Sequence, residues 1–301
     1  MELINPGVNI DFIRYAKGAA AVSLVLILAG LVSMWYRGGL SYGVDFAGGT
    51  VVQVKFTQPP QIADVRQALE ATNLADVTVQ DFGQGGNEFL IRMPMVEGGT
   101  TGLSEQVRQG LINQFGEQAF EVRQVETVGP KVGKDLRRKA FLAVAFATVI
   151  MGVYIALRFE LRFGVGALIA LIHDVLITLG ALSLMDMEFD LTVVAALLTV
   201  VGFSVNDTVI VCDRIRENMR KLRRDQLSTI INRSINETLS RTLITNGTAL
   251  ITVTTLFVFG GEVIRAFSFA LVTGFIAGTY SSIYIASPIV LLWKGTGRKQ
   301  R

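Results

Sequence analysis

The segment VGFSVNDTVIVCDRIREN, Val201 to Asn218, places polar residues inside an apolar run that is long enough to cross a bilayer. Asn206 and Asp207 occur before that run has ended. An ionisable side chain within a membrane span is costly and usually faces the bundle interior or water, so Asp207 is a functional candidate by default. Ser204 and Asp207 share a helix face, because residues three apart are neighbours on a helix. The segment therefore predicts a membrane helix with one face turned away from lipid.

The composition predicts a chain with both membrane and aqueous parts. Half of the 301 residues are hydrophobic and 18% are charged, which is too apolar for a soluble domain and too charged for a purely membranous one. The net charge is only +3, so we expect no nucleic-acid partner. A single cysteine, Cys212, and a single histidine, His173, exclude an internal disulfide and cysteine or histidine metal clusters. Without a recognisable phosphate-binding loop or catalytic triad, we expect a protein that is not an enzyme and has no ATP site.

Six apolar stretches approach the roughly 20 residues that one helical crossing requires. The last stretch is longer than one crossing needs, so it either tilts or contains a break. The first stretch is longer than the apolar core of a signal peptide, so we interpret it as a retained span. The predicted spans are Gly18 to Tyr36 (helix 1, 18–36) and, within 139–293, Lys139 to Leu157, Phe163 to Leu184, Leu191 to Cys212, Leu243 to Gly260 and Ala266 to Trp293.

Lysine and arginine in the short loops predict the orientation. Eight of them lie in the loop 213–242 and four in the tail 294–301, so both segments should be cytoplasmic, together with the N-terminus 1–17. The turn DMEFD at 186–190 carries acids and no base, as expected for the outer side. The basic segment KVGKDLRRK at 131–139 is an exception, which we accept because long translocated domains are largely exempt from the charge rule.

The external region 37–138 has the periodicity of a globular α+β domain. Strand-like and helix-like patterns alternate along it in the order β-α-β-β-α-β, which is the ferredoxin-like motif. We therefore expect an α-helical polytopic membrane protein with six transmembrane helices and an external α+β ferredoxin-like domain between helices 1 and 2. The patterns are GVDFAGGTVVQVKF (43–56), IADVRQALEAT (62–72), VTVQDF (77–82), EFLIRMPM (88–95), LSEQVRQGLINQF (103–115) and FEVRQVETV (120–128).

Several motifs in this order resemble the SecF branch of the SecD/SecF protein-export family. They are YGVDFAGGT (42–50), RFE (158–160), HDV (173–175), the opening segment and SRTLITNGT (240–248). The resemblance covers nearly the whole chain and implies membership of the resistance-nodulation-division superfamily, whose working unit has twelve spans driven by an ion gradient. Six spans are half of that unit, so SecD would supply the other half. The start MELINPGVNIDF favours a separate subunit.

The resemblance also implies partners, a coupling ion and a location. The partners would be SecD, the SecYEG translocase, YajC, the preprotein substrate and the lipid bilayer. No cofactor is expected beyond H⁺ or Na⁺ as the coupling ion. The chain would lie in the bacterial cytoplasmic (inner) membrane and use the proton or sodium motive force to promote protein export. The alternatives are a passive scaffold that stabilises the translocase, and half of a small-molecule efflux pump. The small size of the external region counts against the second alternative.

Asp207 and Arg241 are the predicted ion-coupling residues. Arg241 opens the fifth predicted span at a depth similar to that of Asp207 in the antiparallel neighbour, so the two side chains can pair, and the resemblance assigns the arginine to the ion path. The alternative for Asp207 is a packing contact, since polar contacts in membranes contribute only ~0.6 kcal/mol on average. The alternatives for Arg241 are snorkelling and anchoring at the interface.

Ser204, Asn206, His173 and Asp174 are the predicted supporting residues. Asn206 flanks the face of Asp207, while His173 and Asp174 lie on adjacent faces in the middle of the third span. An imidazole at this depth can relay a proton, or it can serve only as a structural hydrogen-bonding group.

Two further patterns concern packing and the membrane surface. In the sixth span, small residues recur every four positions at Ala270, Gly274, Gly278 and Ser282, which allows close contact with another span of the bundle or of SecD. The basic stretch DRIRENMRKLRR at 213–224 suits a helix lying against lipid headgroups, the alternative being a docking surface for the translocase.

Cysteine labelling tests the predicted topology. Cysteines introduced at Ser228 and Ser104 should react oppositely with a membrane-impermeant thiol reagent in intact cells. We expect labelling at Ser104, in the external region, and none at Ser228 until the membrane is permeabilised. The Cys212→Ser background serves as control, and labelling of Ser228 from outside would refute the orientation.

Overall fold

The computed structural model describes residues 9–72, 77–82, 86–94 and 102–293. Within them, six helices are long and apolar enough to cross a membrane, as predicted. Residues 1–8 of the predicted N-terminal segment and the predicted tail 294–301 lie outside the described residues. The membrane helices are α1 (Phe12–Tyr36), α5 (Pro130–Arg158), α6 (Leu161–Leu184), α7 (Leu191–Lys221), α8 (Leu227–Phe259) and a last helix made of α9 (Arg265–Ser281), a π-helical segment (Ser282–Ala286) and α10 (Ser287–Leu292).

A four-stranded antiparallel sheet with two helices lies between α1 and α5. The strand order is β2-β3-β1-β4, which the β-α-β-β-α-β sequence produces when each helix carries the chain across one intervening strand. The predicted α+β ferredoxin-like domain is therefore confirmed. Its elements are β1 (Gly49–Phe56), α3 (Ile62–Glu70), β2 (Thr78–Asp81), β3 (Glu88–Pro94), α4 (Leu103–Phe115) and β4 (Phe120–Val128), and the short helix α2 (Val44–Ala47) precedes them.

The core of this domain follows from the two-residue period of its strands. Val52, Val54 and Phe56 alternate along β1 and are buried under α3 and α4, whereas the residues between them face the other side of the sheet. The buried cluster that they form contains only residues of the domain. The ferredoxin-like domain (residues 49–128) therefore has a core that does not depend on the membrane helices.

The membrane helices differ in how much of their surface the bundle covers. In α6, α7 and the last helix about half of the most apolar stretch is buried, against 11% in α1 and 17% in α8. The three central helices thus form the middle of the bundle. The outer helices leave apolar surface free for lipid or for a partner.

Glycines allow the central helices to approach closely. Gly274 and Gly278 of the predicted small-residue stripe lie against Val200 and Ser204 of α7, so the stripe packs within the bundle. A methyl group at Gly278 would lie 3.0 Å from Ser204 Cβ, which is tighter than normal packing allows. In lipid the hydrophobic effect does not drive helices together. Stripes of small residues let the helix backbones approach closely, so that the helices can pack by direct contact.

The helices extend well beyond the predicted spans. The predicted loop 213–242 is helical apart from a short turn, since α7 continues to Lys221 and α8 begins at Leu227. The apolar run marks only the part of a helix that suits lipid, and charged residues prolong the helix through ion pairs. Glu237 on α8 accepts from Arg233 one turn away (2.9 Å) and from Arg214 of α7 (2.7 Å).

The predicted irregularity in the sixth span is the π-helical segment. Pro288 lies two residues after its end and has no backbone N–H to donate to the preceding turn. A π-bulge is one way in which a helix accommodates a missing backbone hydrogen bond, and π-bulges often occur at functional sites.

The ferredoxin-like domain and the preceding helix α2 contact the turn between α6 and α7. Arg92 of β3 pairs with Glu188 in that turn, and the backbone N–H of Leu191 donates to Asp45 (3.1 Å). Phe189 is fully buried against aromatic neighbours. Arg92 of the domain and Asp45 of α2, just before it, thus both contact the segment that leads into α7.

The separate core predicts that the domain folds alone. Residues 38–135 should give a mixed α/β circular dichroism spectrum, and Ile91→Ala should lower the free energy of unfolding in urea by about 2–5 kcal/mol, because Ile91 is completely buried. Arg66→Ala on the exposed face of α3 is the control, with an expected change within about 0.5 kcal/mol. An all-helical or unfolded spectrum would contradict an autonomous domain.

Candidate functional site

The polar side chains of the central helices meet in the middle of the bundle. Ser204 and Asp207 share the buried face of α7, and each is 1% exposed. The i, i+3 spacing that predicted this face is thus observed. Ser204 reaches the neighbouring helices because glycine at position 278 of α9 leaves room for it.

Asp174 of α6 is the centre of a hydrogen-bond network. Its Oδ2 accepts from Ser204 Oγ of α7 (2.6 Å) and from Ser281 Oγ of α9 (2.9 Å), and its Oδ1 lies 2.9 Å from His173 Nδ1. The carboxyl group is completely buried. Three partners from three helices match what a carboxyl group requires once water is excluded.

His173 extends the network to α1. Its Nε2 lies 3.0 Å from Ser23 Oγ, and its ring stacks on that of Tyr280. Ser23 donates to the Tyr280 hydroxyl (3.1 Å), which itself donates to the carbonyl of Ala19. A carbonyl can only accept, so the chain of donors runs toward Ala19, and Nε2 must donate to Ser23.

This donor order constrains the protons of the buried pair. With Nε2 donating, the contact between Nδ1 and the Asp174 carboxyl group must hold one further proton, on either the ring or the carboxyl group. The pair His173 and Asp174 is then neutral as a unit, which suits its burial. A proton shared between two groups can also move between them.

Asp207 has a different environment from Asp174. Its Oδ2 accepts from the amide of Asn246 on α8, which also donates to Thr279 Oγ1 of α9 (2.7 Å). Its Oδ1 is buried and has no hydrogen-bond partner among the described residues. Asp174 is saturated by side chains, whereas Asp207 retains a free acceptor.

On α8, the helix that contacts Asp207 through Asn246, two further oxygens lack a partner among the described residues. Asn246 Oδ1 and Thr242 Oγ1 are buried without a partner in the part of the chain that the structure describes, and they lie one turn apart on α8. Buried polar atoms are nearly always paired, so a cluster of such oxygens calls for water, a proton or a cation. Oxygen atoms are the ligands that hard cations prefer.

Arg241 does not pair with Asp207 in this structure. It is exposed on α8, and no ion pair joins the two residues in the described chain. The expected similarity of depth was wrong, because Asn246, five residues after Arg241 on α8, lies level with Asp207 and contacts it. Asn206 is also exposed and faces away from the network.

Sequence reasoning missed several members of the network. Asn246, Thr242 and Thr279 hold or surround Asp207, while Ser23 and Ser281 complete the surroundings of Asp174. Asn246 gave the same signal as Asp207, a strongly polar side chain in an apolar span. The serine and threonine residues gave no comparable signal in the sequence, because these residue types occur throughout membrane helices and bond to their own backbone.

Comparisons with known proteins identify the family. The family model described as "Protein export membrane protein SecD/SecF, C-terminal" matches residues 109–296, and the SecD/SecF GG motif matches residues 38–60. Protein translocase subunit SecF of Desulfurispirillum indicum is 47% identical, covering 95% of this chain and 92% of its own. The SecF of Escherichia coli O157:H7 is 43% identical, covering 97% and 90%.

A solved structure supports the same assignment. The crystal structure of SecDF from Thermus thermophilus, a translocon-associated membrane protein, is similar with a TM-score of 0.81 and 35% identity. The match covers 97% of this chain but spans only 40% of that SecDF chain. The chain belongs to the SecD/SecF family of protein export membrane proteins, as a SecF subunit of the protein translocase.

Proposed function

We propose that this subunit, together with SecD, uses a proton or sodium gradient to promote protein export, and that Asp207 carries the coupling ion. The observation that supports it is the environment of Asp207, a buried carboxyl group with an unpartnered oxygen inside a membrane span. A carboxyl group that served only for packing would be expected to be saturated, as Asp174 is.

The available energy is sufficient for such a role. One elementary charge that crosses a potential of 100 mV releases roughly 2.3 kcal/mol. That energy biases a conformational equilibrium if the two conformations bind the ion with different affinity. No nucleotide is required.

The contacts of Asp207 suggest how ion occupancy changes conformation. The ion, when bound, would join Asp207 of α7 to Thr242 and Asn246 of α8, and its release would leave these oxygens without a partner inside the bundle. The close glycine contacts between α7 and α9 would make these two helices move together relative to α8. Arg241 lies five residues before Asn246 and would tune release when a shift of α8 brings it closer.

The ferredoxin-like domain receives this movement through α7. The N-terminal end of α7 is held to the domain by Asp45, and Glu188 in the preceding turn pairs with Arg92. A shift of α7 would therefore reorient the domain at the membrane surface. We place the domain on the outer side, where its movement acts on the emerging preprotein.

SecD is the proposed partner for the exposed side of α8. The apolar part of α8 is only 17% buried, and it presents Thr248, Thr252 and Thr255 on one exposed face. Their hydroxyl groups donate to carbonyls of α8 itself, so these small side chains leave a face that another helix can approach closely. The relative SecDF carries the corresponding sequence within a longer chain, which supports a second half of this kind. SecYEG, YajC and the preprotein are the further proposed partners, in the bacterial cytoplasmic membrane.

The second candidate function is a passive scaffold that stabilises the translocase without moving ions. The saturated network around Asp174 favours it, because three helices joined by one carboxyl group form a rigid unit. The unsatisfied oxygens around Asp207 count against it. Half of a small-molecule efflux pump has no specific support here.

Substitution of Asp207 separates the two functions. Asp207→Asn keeps shape and hydrogen bonding but removes the charge, so gradient-stimulated preprotein release from vesicles should fall to the level without a gradient, while the complex with SecD still assembles. Asp207→Glu should retain part of the stimulation. Asp213→Asn, an exposed acid on the same helix, should change nothing. Normal stimulation with Asp207→Asn, or loss only through disassembly, would favour the scaffold.

Thr242→Val tests the identity of the ion. Valine has the shape of threonine without the hydroxyl. If Na⁺ binds here, the Na⁺ concentration for half-maximal stimulation should rise roughly tenfold, which corresponds to the loss of one ligand that contributes about 1.4 kcal/mol. Thr199→Val is the matched control, because the Thr199 hydroxyl is exposed on α7 and donates only to the carbonyl of Ala195 (2.8 Å). Stimulation that needs no Na⁺ in either variant would exclude sodium and leave the proton.

A further inference from the structure

An apolar groove of about 270 Å³ runs between α5 and α6 and belongs to no site described above. Phe141, Ala145 and Val149 of α5 form one wall, and Ile172 and Leu179 of α6 form the other. Ala145 and Val149 are exposed, so no other part of the described chain covers the groove.

The groove is apolar along its whole length. Thr148 is the one polar side chain among its lining residues, and its hydroxyl is used internally, donating to the carbonyl of Val144 (2.8 Å). The lining residues of α5 extend from 140 to 149, which corresponds to roughly 13 Å along a helix. One leaflet is about half of a hydrocarbon core roughly 30 Å thick, so the groove has the length of one leaflet.

Basic residues lie directly above the groove on the same helix. Lys134, Arg138, Phe141, Ala145 and Val149 follow one another at spacings of four, three, four and four, which places them on one face of α5. The two charges precede the first lining residue, at the end of α5 that joins the ferredoxin-like domain. They thus lie where the headgroup region of that leaflet begins.

These two charges have no acidic counterpart in the chain as described. Lys134 and Arg138 form no ion pair there, whereas Lys139 is paired with Asp135 (2.7 Å) and Arg137 lies over an aromatic ring. The basic segment 131–139 contains five basic residues and only this one acid.

The acids of the neighbouring turn are engaged elsewhere. Asp186 pairs with Arg37 (2.7 Å), Glu188 pairs with Arg92, and Asp190 caps the N-terminus of α7. None of them neutralises the face above the groove. A ligand that matches both features must combine an anionic group with a long apolar chain.

We propose that this groove binds one anionic phospholipid from the leaflet that borders the ferredoxin-like domain. One acyl chain lies between α5 and α6, and the phosphate is bound by Lys134 and Arg138. A helix of a partner protein matches the apolar wall but not the two charges above it. The site also gives a reason for the basic segment 131–139, which the charge rule for loops does not explain.

Native mass spectrometry of the full chain, delipidated and titrated in detergent, tests the proposal. Phosphatidylglycerol should bind at least tenfold more tightly than phosphatidylcholine with the same acyl chains. The double variant Lys134→Gln, Arg138→Gln should weaken phosphatidylglycerol binding about fivefold per charge, the expected contribution of a basic residue at an anionic surface, and should remove the preference. Ala145→Phe, which fills the groove, should weaken binding of both lipids at least tenfold.

Matched controls distinguish the site from general effects of charge or bulk. The double variant Arg66→Gln, Arg108→Gln removes two charges from the ferredoxin-like domain, and Ile150→Phe adds bulk on the lipid-facing side of α5 outside the groove. Both should bind lipid as the unchanged protein does. All variants should keep the same elution volume and thermal midpoint, so that misfolding cannot imitate a loss of lipid.

Photo-crosslinking locates the bound chain. Phosphatidylglycerol with a photoreactive acyl chain should label α5 between residues 141 and 149 and α6 between 168 and 179, in membranes that also contain SecD. Equal affinity for the two lipids, binding unaffected by Ala145→Phe, or labelling of SecD together with protection of the groove would each overturn the proposal, the last by making the groove a protein contact.

Discussion

The burial of Asp174 is the constraint on which the arrangement of the bundle depends. A carboxyl group at this depth requires hydrogen-bond partners from the protein, because water is excluded and an unpaired group would be costly. Those partners come from α7 and α9 directly, through Ser204 and Ser281, and from α1 through His173 and Ser23. One side chain on α6 thereby sets the positions of the helices around it, and the glycines of α9 make the required approach possible.

The contrast between the two buried carboxyl groups gives the bundle its division of roles. Around Asp174 the hydrogen bonds are complete, so that region resists movement. Among the described residues, Asp207 Oδ1 and the oxygens of Asn246 and Thr242 on α8 lack partners, and the proposed ion would supply one. Ser204 and Asp207 are one helical turn apart on α7, which means that a rigid contact and a responsive one act on the same helix. In the proposed function, ion binding at Asp207 would therefore act between α7 and α8 and not within the network around Asp174.

The surfaces that the central helices leave uncovered differ in the kind of neighbour that they suit. The exposed threonines of α8 suit a protein neighbour, whereas the apolar groove between α5 and α6 with Lys134 and Arg138 above it suits a lipid. The ferredoxin-like domain has its own core and meets the bundle at the turn before α7 and at the start of α5, which follows β4 after one residue. Its position therefore depends on these two junctions more than on the packing within either part.

The sequence by itself determined the six spans, the order of strands and helices in the domain, and the family, because hydrophobic periodicity and local motifs are properties of neighbouring residues. It also singled out Asp207, Asp174, His173 and the stripe that contains Gly278, since a polar or very small residue in a span is conspicuous. Only the tertiary structure decided which side chains meet. Asn246 rather than Arg241 contacts Asp207, because the register between α7 and α8 depends on where each helix begins and on side-chain packing along its whole length, and no local pattern encodes that register.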